Sequence, residues 1–166
     1  MKYFKKIATG LDVQPALAEI AAKGSHLWSM ATGQSLENAI RGYRGNANPE
    51  GTRIVHWEDF AIYPAVNALF KEAVSQLPKS NMIERARVRI LPPQSKMKAH
   101  RDSLKPNARR YQVCLQAGPE AFFQIKNEKC RFNPGELWFC NILDRLHFVD
   151  NPSDIARAVL VIDAFV

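Results

Sequence analysis

At 166 residues the chain has the length of one ordinary domain, enough for a core that needs no disulfide or metal staple. It carries 23 Lys+Arg against 16 Asp+Glu, a formal charge of +7, and 46% of its residues are hydrophobic. These values exclude a disordered chain, a collagen-like chain and a coiled-coil rod. No apolar run approaches the roughly 18 residues needed to cross a bilayer.

The first residues, Met1 to Ile7, are basic, but Thr9, Gly10, Asp12 and Gln14 follow where a signal peptide would need an apolar stretch. No signal peptide is expected. Leu11, Pro15, Leu17, Ile20 and Ala21 recur near helical spacing, with Asp12 placed to cap the start and Gly24 to close the end. A helix is expected over 11–23. Residues 29–52 are rich in Gly, Asn and Ser, with Arg41 and Arg44 among them, and describe a long loop or a set of short pieces. Segments of that length tend to be functional or mobile, and this one is expected to cover a pocket. A second helix is expected from Tyr63 to Gln76, with Val66, Leu69, Phe70 and Val74 on one face and Pro78 as its stop.

Beyond Pro78 the period changes from 3.6 to 2. Arg85, Arg87 and Arg89 alternate with Ala86, Val88 and Ile90, the pattern of a half-buried strand, and Pro92-Pro93 ends it. Further strand-like runs are 110–116, 121–126, 128–132, 136–141, 147–149 and 156–165, separated by Gly118-Pro119, Asn127, Asn133-Pro134-Gly135 and Asn151-Pro152. Short strands at this spacing argue for an antiparallel sandwich or barrel. The expected fold is mostly β with N-terminal helices. It is read as one domain over 1–166, with a helical and loop flank at 1–80 and a jelly-roll β-core at 81–166. Cys114, Cys130 and Cys140 are odd in number, lack CxxC spacing and sit in apolar runs, so free buried thiols and a cytoplasmic setting are expected.

Of four histidines, His26 and His56 lie beside Trp28 and Trp57 in the irregular half and read as structural or surface residues. His100 and Asp102 stand two apart at a strand end, so both side chains can reach one ion. His147 begins a later strand and can add a third ligand from across a barrel. Two His and one carboxylate on one face form the facial triad of non-haem Fe(II) oxygenases. A surface turn with an ion pair, beside a separate core histidine, accounts for the same residues. Ten residues after His147, Arg157 heads an otherwise apolar strand, where burial is costly unless a carboxylate meets it. A dicarboxylate would meet it by bidentate pairing, and an exposed strand end would remove the need.

Taken in order, the pieces resemble the aspartyl/asparaginyl β-hydroxylase family of Fe(II)/2-oxoglutarate dioxygenases. They are Ile90-Leu91-Pro92-Pro93, His100-Arg101-Asp102, 110–115, 135–139, 147–151 and Arg157 with 161–163, about half of the chain. The resemblance implies a double-stranded β-helix and Fe(II) held by His100, Asp102 and His147. It also implies that 2-oxoglutarate chelates the metal and meets Arg157 through its distal carboxylate. Arg110 best matches a family arginine that helps to hold 2-oxoglutarate or substrate, with Arg109 one place away. Gln112 stands where many members carry His, and the usual FDD-like stretch is here Phe139-Cys140-Asn141. Because Asp102 completes the triad, the implied outcome is hydroxylation of an amino acid, free or within a peptide or protein. O2 would be consumed and succinate and CO2 released.

Nine Lys/Arg lie between Arg85 and Arg110: Arg85, Arg87, Arg89, Lys96, Lys98, Arg101, Lys105, Arg109 and Arg110. They read as a solvated face, as a positive rim drawing in anionic cosubstrate and an acidic substrate, or as a nucleic-acid surface, for which no accompanying motif is present. The competing overall reading is a non-catalytic jelly-roll module that holds an anionic ligand or nucleic acid on this face. A zinc cupin-like hydrolase keeps the three ligands but leaves Arg157 without a role. No membrane partner is expected.

Overall fold

The computed structural model describes residues 1–23, 29–30, 36–41, 63–102 and 106–166. Two antiparallel sheets face each other. The larger has seven strands in the order β1 (Phe4–Ala8), β9 (Leu137–Cys140), β6 (Ala108–Gln116), β11 (Arg157–Phe165), β4 (Met82–Leu91), β3 (Leu36–Arg41) and β2 (Ser29–Met30). The smaller runs β5 (Ser95–His100), β10 (His147–Asn151), β7 (Phe122–Ile125) and β8 (Glu128–Cys130). This is the expected jelly roll. The flank before residue 80 adds three strands to its sheet, although it reads from sequence as helix and loop. His26, Trp28, Tyr43, His56, Trp57, Lys105 and most of the 29–52 segment lie outside the described residues.

Two helices, α1 (Gln14–Lys23) and α2 (Pro64–Ser75), cover one face of the large sheet. The Asp12 carboxylate accepts the Gln14 N–H at 3.2 Å, as expected of a cap. Tyr63 gives α2 no side-chain cap. Instead Glu19 of α1 accepts the Val66 N–H at 2.9 Å, so one helix caps the other. Ile20, Val66, Leu69 and Phe70 pack with Val88, Tyr111, Val113, Leu160 and Ile162 in a core that lies between helices and sheet.

A second core, with Phe4, Met97, Cys114, Phe123, Phe132, Trp138 and Val149, fills the space between the sheets. All three cysteines are free and buried, as expected. The large sheet is therefore buried on both faces, while β10 of the small sheet shows the alternation of a strand wet on one side. Gly135 turns the chain into β9 with φ +80, a conformation unfavourable to other residues. Its carbonyl accepts the Leu11 N–H at 3.1 Å.

Candidate metal centre

β5 and β10 are neighbours, and their register sets His147 directly opposite His100. The third candidate ligand thus comes from the adjacent strand of the same sheet and not from across the barrel. The ring centroids are 4.4 Å apart. Asp102 lies two residues past His100, just beyond the end of β5, with Oδ1 3.2 Å from His100 Nε2 and 3.8 Å from His147 Nε2. One ligand atom from each of the three residues falls within 4.8 Å of the others.

Both imidazoles are oriented from behind. His100 Nδ1 lies 2.8 Å from the Lys98 carbonyl and His147 Nδ1 2.8 Å from that of Arg145. A carbonyl only accepts, so each Nδ1 carries a hydrogen and each Nε2 is the atom turned to the site, where the neutral ring presents a lone pair. Burial lowers the His147 pKa to about 4, keeping it neutral as a ligand must be. At His100 the protonated ring, whose Nε2–H can donate to Asp102, gains more from that contact than burial costs it, so its pKa is raised. A metal ion would take the place of that proton. Burial alone would raise the Asp102 pKa, but His100 and Arg110 hold it well below the usual carboxylate range. Two neutral nitrogens and one anionic oxygen fit a divalent first-row metal ion.

Behind Asp102 lies a network not evident from the sequence. Arg110 is 3% exposed and its Nη1 donates to Asp102 Oδ2. Its Nε and Nη2 donate to Asp163 at 2.6 and 3.0 Å. Asp163 also accepts from Arg85 at 2.7 Å and Arg87 at 3.2 Å. Burial would raise the Asp163 pKa, yet Arg110, Arg87 and Arg85 hold it far below the ordinary range.

The alternation of arginines in β4 therefore has the opposite sense to that of a solvated face. Arg87 is buried, Arg85 and Arg89 are half-buried, and Ala86, Val88 and Ile90 pack toward the helices. A carboxylate in register makes this possible: Asp163 pairs across β11 with Arg85 on one side and Arg110 on the other. Of the other basic residues in the segment, Lys96, Lys98, Arg101 and Arg109 are exposed. Arg110, not Arg109, faces inward.

Between the sheets is a narrow cavity that opens to solvent. His147, Arg110, Arg89, Gln112 and Arg157 contribute its polar groups, and Leu91, Met97, Phe123, Val149, Val159 and Val161 its apolar walls. Arg157 is 5% exposed. Its Nη2 donates to Gln112 Oε1 at 3.3 Å, and its guanidinium lies 5.5 Å from the Phe132 ring centre. Among the described residues no carboxylate pairs with it, and burial lowers its pKa. A buried cation facing a cavity whose described lining holds no carboxylate suits an anionic ligand.

Two facing antiparallel sheets, with a His/Asp/His cluster and inward arginines between them, define a double-stranded β-helix of the oxygenase type. The aspartyl/asparaginyl β-hydroxylase family matches residues 37–165, and the chain belongs to that family. It is accordingly an enzyme, a hydroxylase of the Fe(II)- and 2-oxoglutarate-dependent class.

Solved structures share the fold. A Trichoplax adhaerens prolyl hydroxylase in complex with a hypoxia-inducible-factor peptide fragment has a TM-score of 0.64 at 12% identity, over 98% of this chain and 83% of that one. An oxidoreductase of the 2OG-Fe(II) oxygenase family from Burkholderia pseudomallei has 0.60 at 14%, over 90% and 78%. A viral collagen prolyl hydroxylase from Paramecium Bursaria Chlorella virus-1, as its 2OG complex, has 0.57 at 15%, over 99% and 97%. The sequence matches no curated protein. Among the described residues no helix is long and apolar enough to cross a membrane.

Proposed function

We propose that His100, Asp102 and His147 hold Fe(II) and that Arg157 receives the distal carboxylate of 2-oxoglutarate, for hydroxylation of an amino-acid residue in a peptide or protein, or of the free amino acid. The observation that carries this reading is a buried guanidinium with no described counter-carboxylate, facing the same cavity as His147 of the triad. The iron supplies oxygen activation, coupled to oxidative decarboxylation of 2-oxoglutarate to succinate and CO2. The protein contributes orientation and dryness. Backbone carbonyls fix both imidazoles, Gln112 steadies Arg157, and Leu91, Phe123, Val149 and Val161 exclude water. Arg110 lines the cavity too, with three of its N–H groups engaged by Asp163 and Asp102. Its other two are what it can offer to cosubstrate.

A peptide substrate is supported by the two prolyl hydroxylase structures of the same fold, one of them holding a peptide fragment. An acidic substrate is supported by exposed Lys98 and Arg101 flanking His100. The setting is proposed to be cytoplasmic, on the strength of three free thiols. The test is an anaerobic crystal soak with Mn(II) and 2-oxoglutarate, followed by a screen of amino acids and peptides for succinate release. Metal and oxo acid should appear between the triad and Arg157. Their absence there, or release of succinate undiminished by loss of Arg157, would remove the assignment.

A further inference from the structure

The two oxygens of Asp102 have different partners. Oδ1 faces both imidazole Nε2 atoms, at 3.2 and 3.8 Å, whereas Oδ2 accepts from Arg110 Nη1. Arg110 is not free to follow Asp102, because Asp163 grips its Nε at 2.6 Å and its Nη2 at 3.0 Å. Asp163 is fixed in turn by Arg85 and Arg87 of β4 and lies 2% exposed on the central strand. The guanidinium is thus set by two strands before any metal arrives.

A lone carboxylate beside a divalent ion can offer one oxygen or both. Offering both occupies a further position on the metal, and 2-oxoglutarate chelation already needs two of those left by the three side chains. Charge-assisted hydrogen bonds to guanidinium are among the stronger contacts a carboxylate makes. From this geometry, and resting on the metal assignment above, we infer that the Arg110–Asp163 clamp restricts Asp102 to one metal-facing oxygen and so keeps open a position that 2-oxoglutarate takes. Toward Asp102 both act as positioning residues, a role distinct from any direct contact of Arg110 with cosubstrate and read apart from it by the Co(II) spectrum taken without 2-oxoglutarate.

The test compares full-length wild type with the double variant Arg110→Gln/Asp163→Asn, which removes one charge of each sign and retains hydrogen-bonding groups. Arg85→Gln serves as a comparator that weakens the hold on Asp163 but leaves the Arg110–Asp102 contact in place. Co(II) absorption is read before any 2-oxoglutarate is added, because its visible bands report the donor set directly. Mn(II) affinity and the 2-oxoglutarate Kd of the Mn(II)-loaded protein are then measured. The double variant should show shifted Co(II) bands, Mn(II) affinity within about threefold of wild type, and a 2-oxoglutarate Kd raised at least about tenfold, the scale of one charge-assisted hydrogen bond. Arg85→Gln should keep the wild-type bands.

An unchanged Co(II) spectrum, an unchanged 2-oxoglutarate Kd, or a loss of Mn(II) as large as that of Asp102→Ala would each overturn the inference. Retention of Mn(II) by Asp102→Ala would instead remove the metal assignment beneath it.

Discussion

Arg157→Ala should separate ligand binding from folding. In wild type the guanidinium is 5% exposed and, among the described residues, meets only Gln112 Oε1 at 3.3 Å and the Phe132 ring. Removing it takes away an uncompensated buried charge, so the ligand-free protein should keep or gain stability despite the space left. Its loss should be felt when 2-oxoglutarate binds. One charged hydrogen bond is worth about 1.5–3 kcal/mol, which is roughly a 10- to 150-fold loss of affinity. At a concentration 100 times the wild-type Kd, the ligand stabilises the fold by about 2.7 kcal/mol. After a tenfold to hundredfold loss this becomes about 1.4 to 0.4 kcal/mol. For a chain of this size each kcal/mol moves Tm by about 2–4 °C, so the ligand-induced shift should shrink from roughly 5–11 °C to a few degrees or less. Thermal melts of Mn(II)-loaded protein with and without 2-oxoglutarate read this directly. Arg157→Lys should recover only part of the shift, since an ammonium lacks the planar fork. An equal 2-oxoglutarate shift in wild type and Arg157→Ala would refute the reasoning.

Other expectations follow from the same geometry. His147→Ala should weaken Mn(II) binding more than tenfold, by an order-of-magnitude reckoning from even outer-sphere substitutions, while circular dichroism shows the fold intact; unaltered Mn(II) titrations would speak against the ligand. Asp163→Ala strands Arg85, Arg87 and Arg110 around a missing anion and should cost about 3–5 kcal/mol in urea denaturation, against little for Arg85→Gln. Burial alone would raise the Glu136 pKa from 4.5, but Lys6, the Asn133 N–H and the Trp138 indole bring it down to about 2. Its folded value lies below its unfolded one, so its contribution is complete above about pH 4.5 and lost as pH falls toward 2. Glu136→Gln should remove that part of the acid limb, and an unchanged limb would contradict the account. If the exposed Lys96, Lys98, Arg101 and Arg109 attract an acidic substrate, its turnover should fall between low and physiological salt, where screening sets in over ~8–10 Å; salt-independent kinetics would leave them as a solvated face.

The parts of the site legible in the sequence are those with short spacings. His100 and Asp102 share a face because they are two apart, and Arg157 heads a strand whose apolar run marks it as interior. The helices and most strands follow from period and punctuation. What stays hidden depends on which strands become neighbours. Nothing local says that Asp163 will lie beside Arg85 and Arg110, so alternating arginines read as a wet face when they are the inner one. The strand at Phe4–Ala8 is hidden for a similar reason. Its lysines suggest solvent, but Lys6 reaches Glu136 at 2.5 Å and lies 5.1 Å from the Trp138 ring, both on distant sequence.

β11 is walled in on both sides, with Ala158, Leu160, Ile162 and Ala164 against the helical layer and Arg157, Val159, Val161 and Asp163 toward the cavity or its charged network. One strand therefore acts as a partition between two compartments that change under different pressures. Exchanges at even numbers retune how much heat the protein withstands and leave the chemistry in place. Exchanges at Val159 and Val161 redirect what the cavity accepts, with the packing under the helices undisturbed, whereas Asp163 anchors the charge network on which stability rests. Descendants of this chain can drift in thermal tolerance and in ligand choice along separate routes, although both properties are written in the same nine residues.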